Sequence, residues 1–254
     1  MLELPYLTNF KIVVVGTGGT GGILVQNLAH YLYGRYSPKV RLIVVDGDVV
    51  EPANIGRQKF AAEDLGRNKA ERIALRYSDV FGLDIEYVPE YVREEETLTG
   101  LVLPDDVTPF QLPVLVMCVD NNFSRKIAHR VFYSDRVRDL VYIDTGNEDG
   151  RGQTVAGVKW NGFVYQVPCG DVFPDILQAQ DEIGGNLSCG RTVQEKPQTL
   201  LENVWSATVA LTCLFNILEN HVVPSHYVFF DALAAQTRKV KNERISGAEK
   251  MKLP

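Results

Sequence analysis

The stretch "KIVVVGTGGTGG" (11–22) is a short β-branched run that ends on glycine, and "ILVQNLAHYLY" (23–33) continues it with apolar residues at helical spacing. Gly16, Gly18 and Gly21 fall in G-x-G-x-x-G register between that strand and that helix. Such glycines permit a tight turn and close backbone approach, so amide N–H groups and a helix N-terminus can face a phosphate. "VRLIVVD" (40–46) reads as a second buried strand closing on Asp46, whose carboxylate is placed to accept ribose hydroxyls. Together they predict a nucleotide site and leave open which nucleotide.

Outward from this unit, helices are expected over 66–80 and 122–134 and strands over 84–88, 113–119 and 140–144. Alternating helices and continuous apolar strands predict a doubly wound, Rossmann-like, mostly parallel α/β sheet. After Asp144 the pattern changes: "GQTVAGVKWNGFVYQV" (152–167) alternates around Asn161-Gly162, an antiparallel hairpin that makes the sheet mixed. A functional or disordered loop over 168–197, a helix over 199–219 and strands near 226–230 and 235–240 complete the expectation. The chain reads as one domain, with a nucleotide-binding half at 10–150, antiparallel strands, crossover loop and helix at 151–240, and a polar tail at 241–254.

The chain has 254 residues, 45% of them hydrophobic, enough for one large core, and a formal net charge of −6. An acidic balance argues against a general nucleic-acid surface, which needs clustered Lys and Arg. "MLELPYLTNF" (1–10) has no basic leader, and no run reaches the roughly 18 apolar residues of a membrane span, so a cytoplasmic protein is expected. Cys118, Cys169, Cys189 and Cys213 form no CxxC pair, and His30, His129, His221 and His226 have no metal-ligand spacing.

A dinucleotide's pyrophosphate carries about two negative charges, which a helix N-terminus accommodates largely unaided; ATP brings about four and calls for fixed cations and a carboxylate-held Mg²⁺. Arg57 lies in a Pro-containing loop after the second strand and Lys69 begins the next helix; by position alone both read as solvated surface cations. Asp120 follows a central strand and suits equally a helix N-cap and a metal ligand.

The residues "GTGGTG", "VVDGDVVEPANIGRQ", "DLGRNKAE", "MCVDN" with Arg125, and "DTGNEDGRGQTV" resemble, in order and spacing, the ThiF/MoeB type of ubiquitin-activating-like adenylyltransferases. "FGLDIEYVPE", "LSCGRTVQEKPQTLLENVWSATVAL" and "VFFDALAAQTRKV" bring it nearest to the ThiF-like member of the plasmid-associated PRTRC gene cluster. The resemblance implies activation by ATP of the C-terminal carboxylate of a small β-grasp, ubiquitin-like or sulfur-carrier protein, giving an acyl adenylate and pyrophosphate. It implies Gly16, Gly18, Gly19 and Gly21 as the phosphate loop, Asp46 at the ribose, Asn54, Arg57 and Lys69 at the phosphates, and Asp120 as the Mg²⁺ ligand. Gln58 and Asn121 match motif positions of less defined role.

Relatives place a zinc-binding CxxC pair where this chain has Cys169 and Val172, so no structural zinc is expected. Cys118 and Cys213 read as core packing. Cys189, beside Arg191, corresponds to the loop cysteine that ThiF-like relatives use for a covalent link, and an incidental loop thiol is the equal alternative. Relatives also commonly carry an arginine on a first helix that reaches the partner subunit's ATP; none precedes Lys11, and a homodimer is expected on resemblance alone.

Three other functions compete. An NAD(P)-dependent oxidoreductase would share Gly16 to Asp46 but leave Arg57, Lys69 and Asp120 unused. A tRNA-nucleoside dehydratase of the same family runs against the acidic composition, and a non-catalytic scaffold against the intact phosphate and metal residues.

Overall fold

The computed structural model describes residues 1–105, 110–181 and 199–239. Among them the strands are β1 (Leu2–Glu3), β2 (Asn9–Val15), β3 (Lys39–Val45), β4 (Ile85–Val88), β5 (Gln111–Met117), β6 (Leu140–Glu148), β7 (Arg151–Trp160), β8 (Phe163–Gln166), β9 (Val222–Val223), β10 (Tyr227–Asp231) and β11 (Gln236–Lys239). The helices are α1 (Gly19–Leu32), α2 (Lys69–Phe81), α3 (Glu95–Val102), α4 (Asn122–Tyr133), the single turns α5 (Cys169–Val172) and α6 (Asp175–Gln178), and α7 (Leu200–Asn220).

The main sheet runs β11-β10-β7-β6-β5-β2-β3-β4, with β8 paired to β7. From β4 to β6 neighbouring strands are parallel; β7, β8, β10 and β11 pair antiparallel. The order reverses between β2 and β5, whose carboxyl ends therefore flank the crevice where open α/β sheets take ligands. The mixed, doubly wound fold is the expected one.

Strand alternation sorts the core into two layers. Ile12 and Val14 of β2 pack with Leu24 and Leu28 of α1, Ile73 and Tyr77 of α2, and Leu214 and Ile217 of α7. Val13 and Val15 face the other way, onto Leu98 and Val102 of α3 and Ile127 and Val131 of α4. Asn161 and Gly162 both have positive φ (51° and 82°), the geometry of the tight hairpin turn that their sequence predicted.

Several expectations are corrected. The helix expected over 66–80 starts at Lys69, because Gly66 takes φ 74° and the Asn68 side chain accepts the Glu71 N–H as N-cap. It ends at Gly82, in the left-handed region. The strand expected over 113–119 is Gln111–Met117, which leaves Cys118 just beyond its end and only partly buried. The loop expected from 168 begins with α5 and α6. Contrary to the membrane count, α7 spans 21 residues with a mean hydropathy of 1.3 over its most apolar window, long and apolar enough to cross a bilayer by length and composition. Here its apolar face packs on α1 and β6, the role of a core helix.

Candidate functional site

The first βα turn is built to let backbone approach. Gly16 has φ 88°, and a Cβ there would lie 2.6 Å from the Cys118 carbonyl oxygen on the opposite lip of the switch point. A Cβ on Gly21 would lie 1.8 Å from the Gly16 oxygen, so the helix can enter only over glycine. α1 has Gly18 as N-cap, with no side chain capping its first turn and no acidic residue in it. Its free N–H groups and dipole are thus left for an anion. The Gln58 amide lies against Gly18, 3.4 Å from where a Cβ would be.

Asp46 lies just past the end of β3. Its Oδ2 accepts the Thr17 N–H (2.6 Å) and hydroxyl (3.0 Å), and its Oδ1 accepts the Asp48 N–H (2.9 Å). Burial pushes its pKa up, the Lys69 ammonium pulls it down and the Asp48 carboxylate adds to the rise; the net shift is upward. Lys69 Nζ is 2.9 Å from Asp48 Oδ2, and the Tyr91 hydroxyl donates to the other Asp48 oxygen. Asn68 Nδ2 donates to the carbonyls of Asp46 (2.8 Å) and Asp48 (3.1 Å), so the start of α2 is tied to the acidic turn.

Asn54 sits in the 3₁₀ turn Pro52–Asn54, where its Oδ1 accepts the Glu51 N–H (2.8 Å) and its carbonyl accepts those of Arg57 and Gln58. In this structure it shapes the loop that carries the arginine. Arg57 is anchored by Nε to the Ala53 carbonyl (2.7 Å), while its Nη2, shielded from solvent, has no hydrogen-bond partner among the described residues, nor has Gln58 Oε1. A cation held by one backbone oxygen with a donor left over suits an anionic ligand.

Asp120 is exposed in the loop after β5. It is not the N-cap of α4: Asn121 is, accepting the Ser124 N–H at 2.9 Å. Arg125, mostly shielded from solvent, donates to the carbonyls of Val119 (2.8 Å) and Thr145 (2.9 Å) and to Asp144 (3.2 Å), fixing the crevice wall. Asp181 Oδ2 accepts the N–H groups of Asn122 and Phe123, and Lys126 donates to the Ala179 carbonyl (2.6 Å). The segment leading to the crossover loop is therefore pinned over the start of α4.

The structure gathers Gly16, Gly18, Gly19, Gly21, Asp46, Lys69, Asp120 and Asn121 at the carboxyl ends of β2, β3 and β5, with Gln58 over the glycine loop. Cys189 and Arg191 lie outside the described residues. Burial pushes the thiols of Cys118 and Cys213 up to about 12, and Cys169, buried beside Asp144, well above the usual range. Thr17, Asp48, Tyr91 and Asn203 were not singled out from the sequence. Asp48 could have been, since "DGD" places a second carboxylate two residues beyond Asp46.

The ThiF family signature matches residues 3–245. Over 69 residues the chain is 42% identical to the SAMP-activating enzyme E1 of Haloferax volcanii, a match covering 27% of this chain and 23% of that enzyme. Among solved structures it is similar to E. coli MccB with succinimide (17% identity, TM-score 0.64) and to PaaA (20%, 0.62), each over 92% of this chain and 64% of the other. E. coli MccB with ATP is similar at 17% identity and a TM-score of 0.61, over 92% of this chain and 63% of that one. The chain thus spans less than two thirds of the length of these proteins, and the structural likenesses concern the fold.

Proposed function

The chain belongs to the ThiF family, and from that premise we propose that it is an ATP-dependent adenylyltransferase that activates a carboxylate. The observation that carries this reading is the uncapped N-terminus of α1 at the switch point, with the shielded cation Lys69 at the start of α2 and Gln58, next to Arg57, lying against Gly18 of the loop. A nicotinamide dinucleotide would need neither Lys69 nor Arg57 at its phosphates, which leaves them only their contacts with Asp48 and the Ala53 carbonyl.

In the reaction, a substrate carboxylate, ionised near neutral pH without a general base, attacks the α-phosphorus of ATP. An acyl–O–P bond forms, the bridge to the β-phosphate breaks, and the electron pair leaves with pyrophosphate. Lys69 and Arg57 stabilise the departing charge, and the α1 N-terminus holds the phosphates. Asp46 holds the ribose by exchanging its Thr17 hydroxyl contact for the sugar. Asp120 would hold Mg²⁺ against the phosphates, where the ion neutralises charge; one carboxylate plus phosphate oxygens is an ordinary donor set for Mg²⁺.

The substrate class proposed is the C-terminal carboxylate of a small ubiquitin-like or sulfur-carrier β-grasp protein, with transfer to Cys189 as a second step in which the thiol loses its proton, a thioester forms and AMP leaves. Homodimerisation and membership of the PRTRC-associated group belong to the same proposal by resemblance, and a cytoplasmic setting by composition. The name of the Haloferax relative, an activating enzyme E1, and a similar fold solved with ATP support it.

Hydroxylamine trapping tests it: with ATP, Mg²⁺ and a small protein ending in Gly-Gly, a hydroxamate should form at that protein's C-terminus. ATP bound with no hydroxamate from any such protein would overturn the proposed substrate; NADH binding unaffected by ATP would overturn the reaction.

A further inference from the structure

Gly19, the first residue of α1, has no positive φ to demand glycine, yet a Cβ there would lie 2.3 Å from Asn203 Nδ2 and 2.6 Å from its Cγ. Cα–Cβ bonds in a helix tilt toward its N-terminus, so the space above residue 19 opens on the anion-receptive end, and the Asn203 amide fills it. Asn203 comes from the second turn of α7 and is 3% exposed. Its Oδ1 accepts the Thr20 hydroxyl (3.1 Å) and Asn147 Nδ2 (3.0 Å). Two donors on the oxygen fix the amide's orientation and turn its nitrogen toward Gly19. Among the described residues no hydrogen bond leaves that nitrogen. One turn further, Ser206 is fully buried and its Oγ is unpartnered. An amide nitrogen aimed at an uncapped helix N-terminus is a donor left for a ligand.

We propose that Asn203 is a phosphate-binding residue, whose Nδ2 donates to a phosphate oxygen of the nucleotide held at the α1 N-terminus. The late helix α7 thereby completes a site otherwise assembled from the first half of the chain, and Gly19 is glycine to admit the amide. The inference rests on the reading of the crevice as a nucleotide-triphosphate site.

The test is calorimetric titration of the full-length protein and its Asn203→Ala and Asn203→Asp variants with Mg-ATP, pyrophosphate and adenosine. Affinity for ATP and pyrophosphate should fall about tenfold in Asn203→Ala, as for one lost charge-assisted hydrogen bond, and further in Asn203→Asp, which keeps the shape but faces phosphate with a carboxylate. Adenosine binding should be unchanged, and in turnover the KM for ATP should rise while that for the carboxylate substrate stays. Equal losses for adenosine and ATP, or no loss, would overturn the proposal. If Asn203→Ala does not fold, the near-isosteric Asn203→Asp decides. Failure of the unaltered protein to bind ATP overturns this inference and the adenylation reading together; Asn203-dependent ATP binding with no activated carboxylate overturns only the latter.

Discussion

Lys69 and Asp48 form an ion pair at 2.9 Å in which the lysine side chain is 5% exposed and the aspartate 38%. Lys69 opens α2 and Asp48 closes the turn after β3, so the pair joins the acidic turn to the start of that helix. Asp48→Asn leaves a shielded ammonium short of its partner. Because Asp48 is partly in water, the expected cost is about 1–2 kcal/mol rather than that of a fully buried pair. For a chain of this size that lowers Tm by roughly 2–8 °C. An unchanged thermal midpoint would show that the pair does not support the fold.

Gly21→Ala should be far worse than Gly34→Ala. The first puts a Cβ 1.8 Å from the Gly16 backbone oxygen, the second into open space at a φ of 71°. Overpacking against backbone reaches the upper end of its range, about 3 kcal/mol or more, whereas a left-handed alanine costs roughly 1 kcal/mol. Urea denaturation of both variants separates the two; equal midpoints would mean the loop does not pack as described.

The glycine loop and Asp46 were legible because each depends on residues within one βα unit, where spacing alone fixes geometry. Asn203 was not, since its partner Thr20 is 183 residues away and no local pattern marks one amide in an apolar helix. The helix Glu95–Val102 escaped notice because its eight residues bury only Leu98, Thr99 and Val102, too short an apolar stripe to stand out. Asp120 read equally as N-cap and metal ligand; the structure gives the cap to its neighbour Asn121 and leaves Asp120 exposed.

Asp64 makes the fold acid-sensitive. It is fully buried, and although burial pushes its pKa up, the Ala61 N–H with Arg76 and Arg72 outweighs this, so the folded value lies below the ordinary one. A depressed carboxylate stabilises at pH above its unfolded pKa of about 3.9, and that contribution is lost as pH falls toward the folded value. Asp64→Asn should therefore be less stable at pH 7 and converge on the unaltered protein below about pH 4. Parallel pH–stability curves would contradict the assignment.

The thiols of Cys118, Cys169 and Cys213 should resist alkylation. With Cys118 and Cys213 pushed up to about 12 and Cys169 well above its usual range, the thiolate is scarce at pH 8. Peptide mapping after iodoacetamide treatment of the folded protein should find all three unmodified and, after urea, all three labelled. Rapid labelling of Cys169 or Cys213 in the folded state would contradict its burial, and of Cys118 its raised pKa.

ATP–pyrophosphate exchange in the presence of a Gly-Gly-terminated carrier is the most direct measure of carboxylate activation. The unaltered protein should exchange with Mg²⁺ present, and Arg57→Ala, which removes the cation with the unpartnered donor, should lower the rate by about 10²-fold or more while leaving Tm nearly unchanged. Exchange at the full rate in Arg57→Ala, or no exchange by the unaltered protein with any such carrier, would contradict the proposed function.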